Sequence, residues 1–310
     1  DEHTSRGLGD VYKRQKLALG FSKAIDSNSI DIVVNTGDDF NHLGLYVCPD
    51  LDTVTYTLSD KVDLKKGWGR SKESWQMLTE LDSMGGDTWF QLGDKDLATH
   101  IYRTFNLSKG KKLTEVTKDI KDSFGIKENI YPMSDDSVST FIKTKKDILS
   151  FQEYFVKYKC EPTASDFVFK GALTASFNKK IKLDTYDKFI ICPSNPFISI
   201  GPILALRKFK DYLKNRKKDV VIVSPIVNDR SIKGPTSKIF KELGFNSTVV
   251  SVANYYNEVS NNIFIDNKDK KYSNELHELG FNVYFADLIM KDIKTKKNLA
   301  ESIISQLSKS

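Results

Sequence analysis

The fold is decided by the stretch Lys188-Phe-Ile-Ile-Cys-Pro-Ser-Asn-Pro196, an apolar run that stops at a proline-rich turn. The run has the length and composition of a buried strand. A helix pattern covers 201–216, and a second apolar run, Val220-Val-Ile-Val223, ends at Ser224-Pro225. Strands that alternate with helices predict a parallel sheet wound on both faces.

The alternation of strand and helix patterns continues in both directions along the chain. Toward the C-terminus we predict a helix at 235–243, short strands at 247–250, 262–265 and 282–285, and a last helix at 294–308. Toward the N-terminus we predict a helix at 16–25, a strand at 30–35 and a helix at 50–60 with Asp50 as its N-cap. The fold class is therefore α/β, a Rossmann-like, doubly wound and mostly parallel sheet.

The middle of the chain interrupts this rhythm. Helix patterns at 71–84, 96–105 and 112–124 precede four β-type segments at 129–134, 138–144, 148–157 and 166–171, which predict a small antiparallel sheet. We therefore assign 16–60 and 183–310 to the Rossmann-like core and 61–182 to an inserted α+β subdomain.

Residues 1–15 are atypical. They lack a start methionine and show neither helix nor strand periodicity. A helix such as 16–25 should follow a strand and a tight turn in an α/β unit, and no such strand precedes it. We expect residues 1–15 to be a foreign segment that replaces the true start.

Composition excludes several classes of protein. The 310 residues carry 47 basic and 41 acidic side chains, a net charge of +6, and are too apolar for disorder. The basic residues are nearly all Lys, which argues against nucleic-acid binding. No apolar run reaches the roughly 20 residues of a membrane helix. The distant cysteines Cys48, Cys160 and Cys192 form no zinc pattern and predict reduced thiols in a cytoplasmic protein.

Ligands of doubly wound folds bind at the carboxyl ends of the strands. That rule selects 35–40, 193–201 and 224–228, where polar or Gly/Pro-rich residues follow apolar runs. Backbone N–H groups at a helix start after 193–201 would suit a phosphate; the alternative is an ordinary proline-rich turn. The candidate phosphate-binding residues are Thr36, Ser194, Asn195, Ser199 and Gly201.

Paired carboxylates are the second feature. They occur at Asp38-Asp39, Asp50/Asp52, Asp94/Asp96 and Asp135-Asp136. Such pairs near phosphates hold magnesium or accept a proton from an attacking hydroxyl. Any single pair could be structural, as a cap or a turn, but four pairs at element ends favour a metal or phosphate site. The candidates are Asp38, Asp39 and Asp52 for catalysis and Asp38, Asp50 and Asp94 for metal.

Aromatic residues lie near these acids in the sequence. Trp68 and Trp89 could stack on a planar heterocycle, and Phe151, Tyr154 and Phe155 would line one strand, although core packing explains most of these rings equally well. His100 follows Asp96 by four residues and shares its helix face; a structural role is the simpler interpretation. Neither a P-loop nor a dinucleotide-binding glycine pattern is present.

Eleven strings occur in a characteristic order: N-T-G-D-D-F-x-H-L-G-L (35–45), P-D-L-D-T-V-x-Y-T-L (49–58), G-W-G (67–69), L-G-D-K-D-L-A-T-H (92–100), L-T-E-V-T (113–117), P-M-S-D-D (132–136), F-Q-E-Y-F-V (151–156), C-E-P (160–162), P-S-N-P-x-x-S-I-G-P-I-L (193–204), S-P-I-V (224–227) and K-G-P (233–235). With them the chain resembles the 2-phospho-L-lactate transferase (CofD) family of deazaflavin coenzyme F-420 biosynthesis, from about Lys16 to the C-terminus.

The resemblance implies a reaction. A guanosine diphosphate-linked donor carries phospholactate, or phosphoenolpyruvate in many bacteria. The ribityl hydroxyl of the deazaflavin precursor FO attacks the phosphorus, and GMP leaves. The enzyme would be a transferase of a substituted phosphate group that requires Mg²⁺ and forms a homodimer. The sequence does not distinguish the two donors.

The resemblance also implies site residues. Asp52 matches the family's acidic FO contact, and the regions of Trp68 and Trp89 would border the deazaflavin. Two departures stand out. Gln91 occupies a position that is usually Arg or Lys and contacts FO. Residues 1–15 stand where the family has a strand and a glycine-rich turn, so we expect weak donor binding.

A related family provides the alternative function. It shares the Rossmann-like core but is a non-catalytic metabolic regulator that binds a nucleotide sugar. Its first strand ends in a D-D-G-G-S-S-G type of sequence, whereas this chain has D-D-F-N-H-L-G at 38–44. The strings above favour the transferase.

Overall fold

The computed structural model describes residues 11–231 and 235–308. The strands are β1 (Asp31–Val34), β2 (Phe40–His42), β3 (Leu45–Val47), β4 (Asn129–Pro132), β5 (Ser139–Thr144), β6 (Ile148–Ser150), β7 (Ala164–Lys170), β8 (Phe189–Ile191), β9 (Val220–Val223), β10 (Ile226–Val227), β11 (Arg230–Ser231), β12 (Asn262–Asp266) and β13 (Asn282–Ala286). The helices are α1 (Val11–Ala24), α2 (Pro49–Leu58), α3 (Gln76–Ser83), α4 (Asp94–Ser108), α5 (Leu113–Ser123), α6 (Gly201–Leu204), α7 (Arg207–Asn215), α8 (Thr236–Glu242), α9 (Val249–Tyr256), α10 (Ser273–Glu278) and α11 (Ile293–Leu307).

The central sheet is parallel and covered on both faces, which confirms the predicted fold class. Its order is β13-β12-β9-β8, and every pairing is parallel. All four residues of β9 are buried, and they alternate between two cores. Val220 and Ile222 pack with α7 and α9, whereas Val221 and Val223 pack with α1 and α11. A continuous β-branched run is what a strand buried on both sides requires.

A second parallel pair, β1 with β4, lies beside this sheet. The register aligns Asp31 with Asn129 and Val34 with Pro132. The prediction that 129–134 belongs to the antiparallel sheet was therefore wrong. Residues of α2 and α5 cover one face of the pair around Val34 and Ile130. The assigned boundaries at 60/61 and 182/183 stay a prediction, and β4 pairs with β1 across the first of them.

The antiparallel sheet has the order β6-β5-β7, as predicted for 138–144 and 166–171. The strand predicted over 148–157 ends at Ser150, and residues 153–157 form a helical turn. The cause is a capping box: Ser150 N–H donates to Glu153 at 3.0 Å, and the Glu153 N–H donates to the Ser150 hydroxyl at 3.4 Å. Phe151, Tyr154 and Phe155 therefore line a helical turn, not a strand.

Two other local predictions were wrong, and two hairpins were missed. Residues 247–250 lead into α9 instead of forming a strand, because the Thr248 hydroxyl accepts the Ser251 N–H and caps the helix that begins at Val249. Asp50 is not an N-cap: α2 starts at Pro49, and Asp50 lies in its first turn. The hairpins β2–β3 and β10–β11 were not predicted.

The first helix is longer than predicted. It begins at Val11 instead of residue 16, so part of the atypical segment is helical, while residues 1–10 lie outside the described residues. It packs closely on α11: a Cβ at Gly20 would lie 2.3 Å from the Lys296 carbonyl oxygen. Across the described ranges, none of the helices has the length and apolarity needed to cross a bilayer.

Candidate functional site

The loop after β1 is fixed by backbone and side-chain contacts. Asn35 is fully buried; its amide donates to Asp50 at 3.1 Å, and its carbonyl oxygen accepts the Gly37 N–H at 2.8 Å. The N–H of Thr140 in β5 donates to the Gly37 carbonyl at 2.7 Å. A Cβ at Gly37 would lie 2.9 Å from Pro202. Glycine at this position therefore lets the β1 loop, β5 and the start of α6 meet.

Asp38 and Asp39 follow directly and are both buried. The Gln152 amide donates to the backbone carbonyl of Asp38 at 3.0 Å. Asp39 is within hydrogen-bond reach of the Cys48 thiol, and within the described ranges its two carboxylate oxygens have no other partner. Burial raises the pKa of Asp39 well above its usual value. The fold thus holds a carboxyl group that has few contacts within the chain.

Asp50 and Asp52 lie in the first turn of α2, where the helix dipole favours negative charge. Both are almost completely buried. Asp50 contacts Asn35, which links the carboxylates that follow β1 to those of α2. The structure therefore groups the predicted residues Asp38, Asp39 and Asp50 around one strand end.

Asp52 has a different environment. Arg103 from α4 donates from Nη1 to its Oδ2 at 3.1 Å and from Nη2 to its Oδ1. Burial raises the pKa of Asp52, whereas the charges of Arg103 and His100 act in the opposite direction. Although burial alone would lower the pKa of Arg103, the charge of Asp52 outweighs it and raises that pKa. The two side chains form a buried, doubly hydrogen-bonded ion pair.

His100 extends this pair into a network. Its Nδ1 lies 3.6 Å from Asp52 Oδ2, and its Nε2 lies 3.5 Å from Asp96 Oδ2. Tyr56 donates to Asp96 at 2.5 Å. Burial works to raise the pKa of Asp96, but His100 and Tyr56 outweigh it and hold the pKa below its usual value. The predicted shared face of Asp96 and His100 is confirmed.

Sequence reasoning missed Arg103, Tyr56, Thr140 and Gln152. A signal for Arg103 was present, because residues 96, 100 and 103 follow the i, i+4, i+7 spacing of one helix face. A signal for Tyr56 was also present, because it follows Asp52 by four residues on α2. Thr140 and Gln152 carry no such local signal, since each reaches the site only through a long-range contact.

One group of three metal-ligating side chains has its ligand atoms within 4.8 Å of one another in the described part of the chain: Asp52, Asp96 and His100. Arg103 already occupies both oxygens of Asp52 there, and its positive charge opposes a cation. Asp94 is half-buried and accepts the N–H groups of Gln76 and Met77 at 3.1 Å, as a cap for α3. Its role as a metal ligand stays a prediction.

The predicted phosphate segment follows β8. Asn195 caps the helical turn Pro196–Ile200, accepting the Phe197 N–H at 2.9 Å. Across the described residues, the Asn195 amide nitrogen and the Ser194 hydroxyl are buried without a hydrogen-bond partner. Thr36 and Ser199 are also buried. A Cβ at Gly201 would lie 2.9 Å from the Phe169 ring, so glycine permits close packing.

The third predicted strand end, 224–228, leads into the β10–β11 hairpin. Asn228 and Asp229 both have positive φ, of 52° and 58°. The buried carboxylate of Asp269 accepts the Asn228 N–H at 2.9 and 3.0 Å and fixes this tight turn. Lys233 and Gly234 of the K-G-P string lie outside the described residues.

The residues predicted to contact FO fall into separate places. Trp68 and Gln91 line one small cavity of about 10 Å³, together with Asp96. Trp89 packs instead against His42 of the β2–β3 hairpin, with ring centroids 5.3 Å apart. Asp52 is not among the residues that line this cavity; His100 lies between it and Asp96 in the network described above. The site thus has a carboxylate-rich centre near β1, two separate aromatic regions around Trp68 and around Trp89, and a polar turn at Ser194 and Asn195.

Comparison with known proteins points to one family. A family model described as 2-phospho-L-lactate transferase CofD matches residues 14–290. A 2-phospho-L-lactate transferase of Methanosarcina mazei is 35% identical over 292 residues, which cover 93% of this chain and 95% of that protein. One from Methanocaldococcus jannaschii is 35% identical over 295 residues, or 93% of each.

A phosphoenolpyruvate transferase of Streptomyces griseus is 34% identical over 293 residues, which cover 92% of each chain. The solved structure of a UPF0052 family member from Bacillus halodurans superimposes on this chain with a TM-score of 0.61 at 12% identity. The match covers 94% of this chain and 95% of that one. At that identity the likeness describes the fold alone, and it agrees with the Rossmann-like class.

Proposed function

This chain belongs to the 2-phospho-L-lactate transferase CofD family, whose transferases act in coenzyme F-420 biosynthesis, and on that premise we propose the group that it transfers. The donor is a guanosine diphosphate-linked phospholactate or phosphoenolpyruvate. The acceptor is the ribityl hydroxyl of FO. A phosphodiester forms as the phosphorus–oxygen bond to GMP breaks, and the hydroxyl proton passes to the protein or solvent.

The observation that carries this proposal is the arrangement around Gly37. Buried carboxylates of the β1 loop and α2 lie on one side, and the turn after β8 starts α6 on the other. Phosphoryl-type transfer needs charge neutralisation, in-line positioning and a proton acceptor. The two sides together offer carboxylates and neutral hydrogen-bond donors for those tasks.

The donor side is the turn at Ser194 and Asn195. A hydroxyl and an amide N–H₂ that are buried and have no partner in the described chain can donate to phosphate oxygens. Burying such donors without a partner destabilises the folded protein, and a bound phosphate that accepts their hydrogen bonds would offset part of that loss. Thr36, Ser199 and Gly201 complete this side of the proposed site.

We assign Mg²⁺ to the carboxylates that follow β1 and begin α2. The two oxygens of Asp39 have few contacts within the chain, and Asp38 and Asp50 are the further hard oxygen ligands in this proposal. The charge of Asp50 acts on Asp39, and Asp38 precedes Asp39 in the same loop. When bound, the ion would neutralise charge on the transferred phosphate. Between them, Asp38 and Asp39 provide the proton acceptor for the FO hydroxyl.

On the acceptor side, Trp68, Trp89 and Gln91 border FO in this proposal. Asp52 is the acidic contact implied by the resemblance, and its pairing with Arg103 fixes the position of that carboxylate. The proposal includes a homodimer. Ile101, Tyr102 and Phe105 form an exposed apolar patch on α4 that would suit a subunit contact; light scattering after gel filtration tests the mass.

The decisive experiment follows GMP release from each guanylated donor with FO and Mg²⁺. It uses the unaltered chain and a version in which residues 1–15 are replaced by a strand and a glycine-rich turn. Turnover in either protein that is lost in Asp39→Asn and kept in the exposed control Asp122→Asn supports the proposal. Absence of turnover in both folded proteins, with binding of a nucleotide sugar, would favour the non-catalytic regulator instead.

A further inference from the structure

Thr140 carries a buried hydroxyl that none of the described residues satisfies. The residue is the second of β5 and is 2% exposed. Across residues 11–231 and 235–308, its Oγ1 has no hydrogen-bond partner. Most buried hydroxyls do have one, because an unsatisfied polar group destabilises the folded protein. The exception at Thr140 therefore indicates a partner from outside the chain, either water or a ligand.

This hydroxyl meets the loop after β1 at Gly37. A Cβ at Gly37 would lie 2.7 Å from Thr140 Oγ1 and 3.0 Å from Asn35 Oδ1. Asn35 Oδ1 already accepts the Gly37 N–H at 2.8 Å. Because residue 37 is a glycine, it places no side chain over the Thr140 hydroxyl. That hydroxyl is left as a hydrogen-bond donor beside the loop that carries Asp38 and Asp39.

The backbone around the hydroxyl is anchored at two successive carbonyl groups. The Thr140 N–H donates to the Gly37 carbonyl at 2.7 Å, and the Gln152 amide donates to the Asp38 carbonyl at 3.0 Å. β5 and the turn that follows β6 therefore hold the loop and the hydroxyl together. Donors that are fixed in advance stabilise a transition state well, because they need no reorganisation during the reaction.

Two further uncharged donors lie on the other side of Gly37. They are the Ser194 hydroxyl and the Asn195 amide nitrogen, which are also buried without a partner in the described part of the chain. Hydroxyl and amide groups can donate to an anionic oxygen, whereas an ionised carboxylate cannot. All three donors are closed to water, so a ligand that reaches them must slightly separate the β1 loop from the turn after β8.

We propose that the Thr140 hydroxyl donates a hydrogen bond to a non-bridging oxygen of the phosphorus that is attacked during transfer. The inference rests on the proposed function. The attacked phosphorus must lie beside the proton acceptor, which Asp38 and Asp39 provide, whereas GMP departs with the other phosphorus. Thr140 contacts the loop of these acids, so its hydroxyl is assigned to the attacked phosphorus. It keeps its proton throughout and stabilises negative charge on that oxygen as the bond to GMP breaks.

The test compares GDP with GMP, because only GDP carries a phosphorus at the attacked position. Thr140→Val removes the hydroxyl and keeps the shape of the side chain, and Thr140→Ser keeps the hydroxyl. Isothermal titration calorimetry uses the full chain and the version with residues 1–15 replaced, each with and without Mg²⁺. In Thr140→Val the Kd for GDP should rise about tenfold and that for GMP should stay unchanged. Thr140→Ser should bind GDP as the wild type does.

Stability separates this role from a structural one. Thr140→Val should melt at the wild-type temperature or above it, because it replaces an unsatisfied buried hydroxyl by a methyl group. Thr114→Val is the matched control. The Thr114 hydroxyl donates to Asp135 at 2.7 Å and accepts from Asn178 at 2.8 Å, so its loss should lower the melting temperature and leave GDP binding unchanged.

Turnover distinguishes failure of this inference from failure of the proposed function. With FO and the guanylated donor, Thr140→Val should lower kcat/KM for the donor about ten- to hundredfold and leave KM for FO unchanged. Wild-type turnover in that variant would overturn the role of Thr140 alone. GDP binding without any turnover would contradict the transferase, and the difference between GDP and GMP would still decide the phosphate contact.

Three results of the binding experiment would also overturn the inference. Equal weakening of GDP and GMP binding would mean that the hydroxyl does not act on the second phosphate. A loss that appears only with Mg²⁺ would assign the hydroxyl to the metal ion. Absence of GDP binding to both proteins would remove the phosphate site itself, and the contact of Thr140 with it.

Discussion

The carboxylate of Asp52 and the guanidinium of Arg103 lie 51 positions apart in the sequence and form a buried ion pair, with their side chains 6% and 2% exposed. Each oxygen of Asp52 accepts one N–H of Arg103. The pair joins α2 to α4 and so connects the carboxylates near β1 with the helix whose Asp96 lines the Trp68 cavity. Removing only one partner of such a buried ion pair strongly destabilises the fold, because the other charge stays buried without compensation.

Arg103→Met should therefore lower the free energy of unfolding by about 3–5 kcal/mol, because it leaves the Asp52 charge buried without its partner. The double variant with Asp52→Asn should recover part of that loss. Urea unfolding followed by circular dichroism measures both. Lys118→Met is the control, since it removes the exposed pair with Asp122 and should cost less than about 1 kcal/mol. A double variant less stable than Arg103→Met would contradict the ion-pair explanation.

Asp39 should make stability fall as pH rises. Its pKa is higher in the folded protein than in the unfolded chain because of burial, so the folded state binds the proton more tightly. This contribution to stability is complete below the unfolded pKa of about 4 and is lost as pH rises through the raised folded pKa. The melting temperature of Asp39→Asn should consequently exceed that of the wild type increasingly between acidic and neutral pH.

The control for that titration is Asp122→Asn. Salt bridges with Lys118 and Lys121 hold the pKa of Asp122 below its usual value, so its contribution is lost as pH falls and the difference from wild type has the opposite sign. Parallel pH profiles for wild type and Asp39→Asn, measured without added metal, would show that Asp39 does not titrate in this way.

Gln91→Arg should lower the KM for FO about two- to fivefold with little change in kcat, if the proposed acceptor face is correct. Gln91 is exposed at the rim of the cavity that contains Trp68, so a cation there can reach an acceptor without being buried. Steady-state kinetics at saturating donor measures the change. Gln76→Arg adds the same charge at the exposed start of α3 and should leave KM unchanged; an equal decrease in both variants would indicate general electrostatic attraction.

Ser150→Ala should reduce stability by about 1 kcal/mol, because the Ser150 hydroxyl and Glu153 cap the helical turn at 153–157. Thermal unfolding measures the effect. Ser108→Ala removes an exposed hydroxyl at the end of α4 and should change stability by less than about 0.5 kcal/mol. Similar effects of both substitutions would mean that the box does not stabilise the turn.

The sequence was most informative where one local pattern decided the structure. The apolar runs that became β9 and β12 were predicted correctly because a strand buried on both faces leaves little choice of residues. The half-buried strand β8 was also predicted from its apolar run. The stretch 247–250 was predicted wrongly because its β-branched residues suit a strand, whereas the hydroxyl cap at Thr248 and burial of Val249 and Val252 favour a helix in this context.

Partners from distant parts of the chain limited the prediction of the site. The carboxylates Asp38, Asp39 and Asp50 could be proposed from their positions at element ends, and the structure groups them. Nothing near Asp52 in the sequence indicates Arg103, and nothing near Asp38 indicates Gln152, which lies 114 positions away. Periodicity reports which face a residue occupies, but not which other element packs against that face.

The hydrogen bond from Thr140 to the Gly37 carbonyl has a consequence for exchanging parts between homologues. Through this bond, β5 of the antiparallel sheet supports the loop that carries Asp38 and Asp39. A chimaera with a breakpoint between 37 and 140 would join two halves that had adjusted to different neighbours. A breakpoint after β7 would take both Gly37 and Thr140 from one parent. Recombination there should therefore yield folded, active chimaeras far more often.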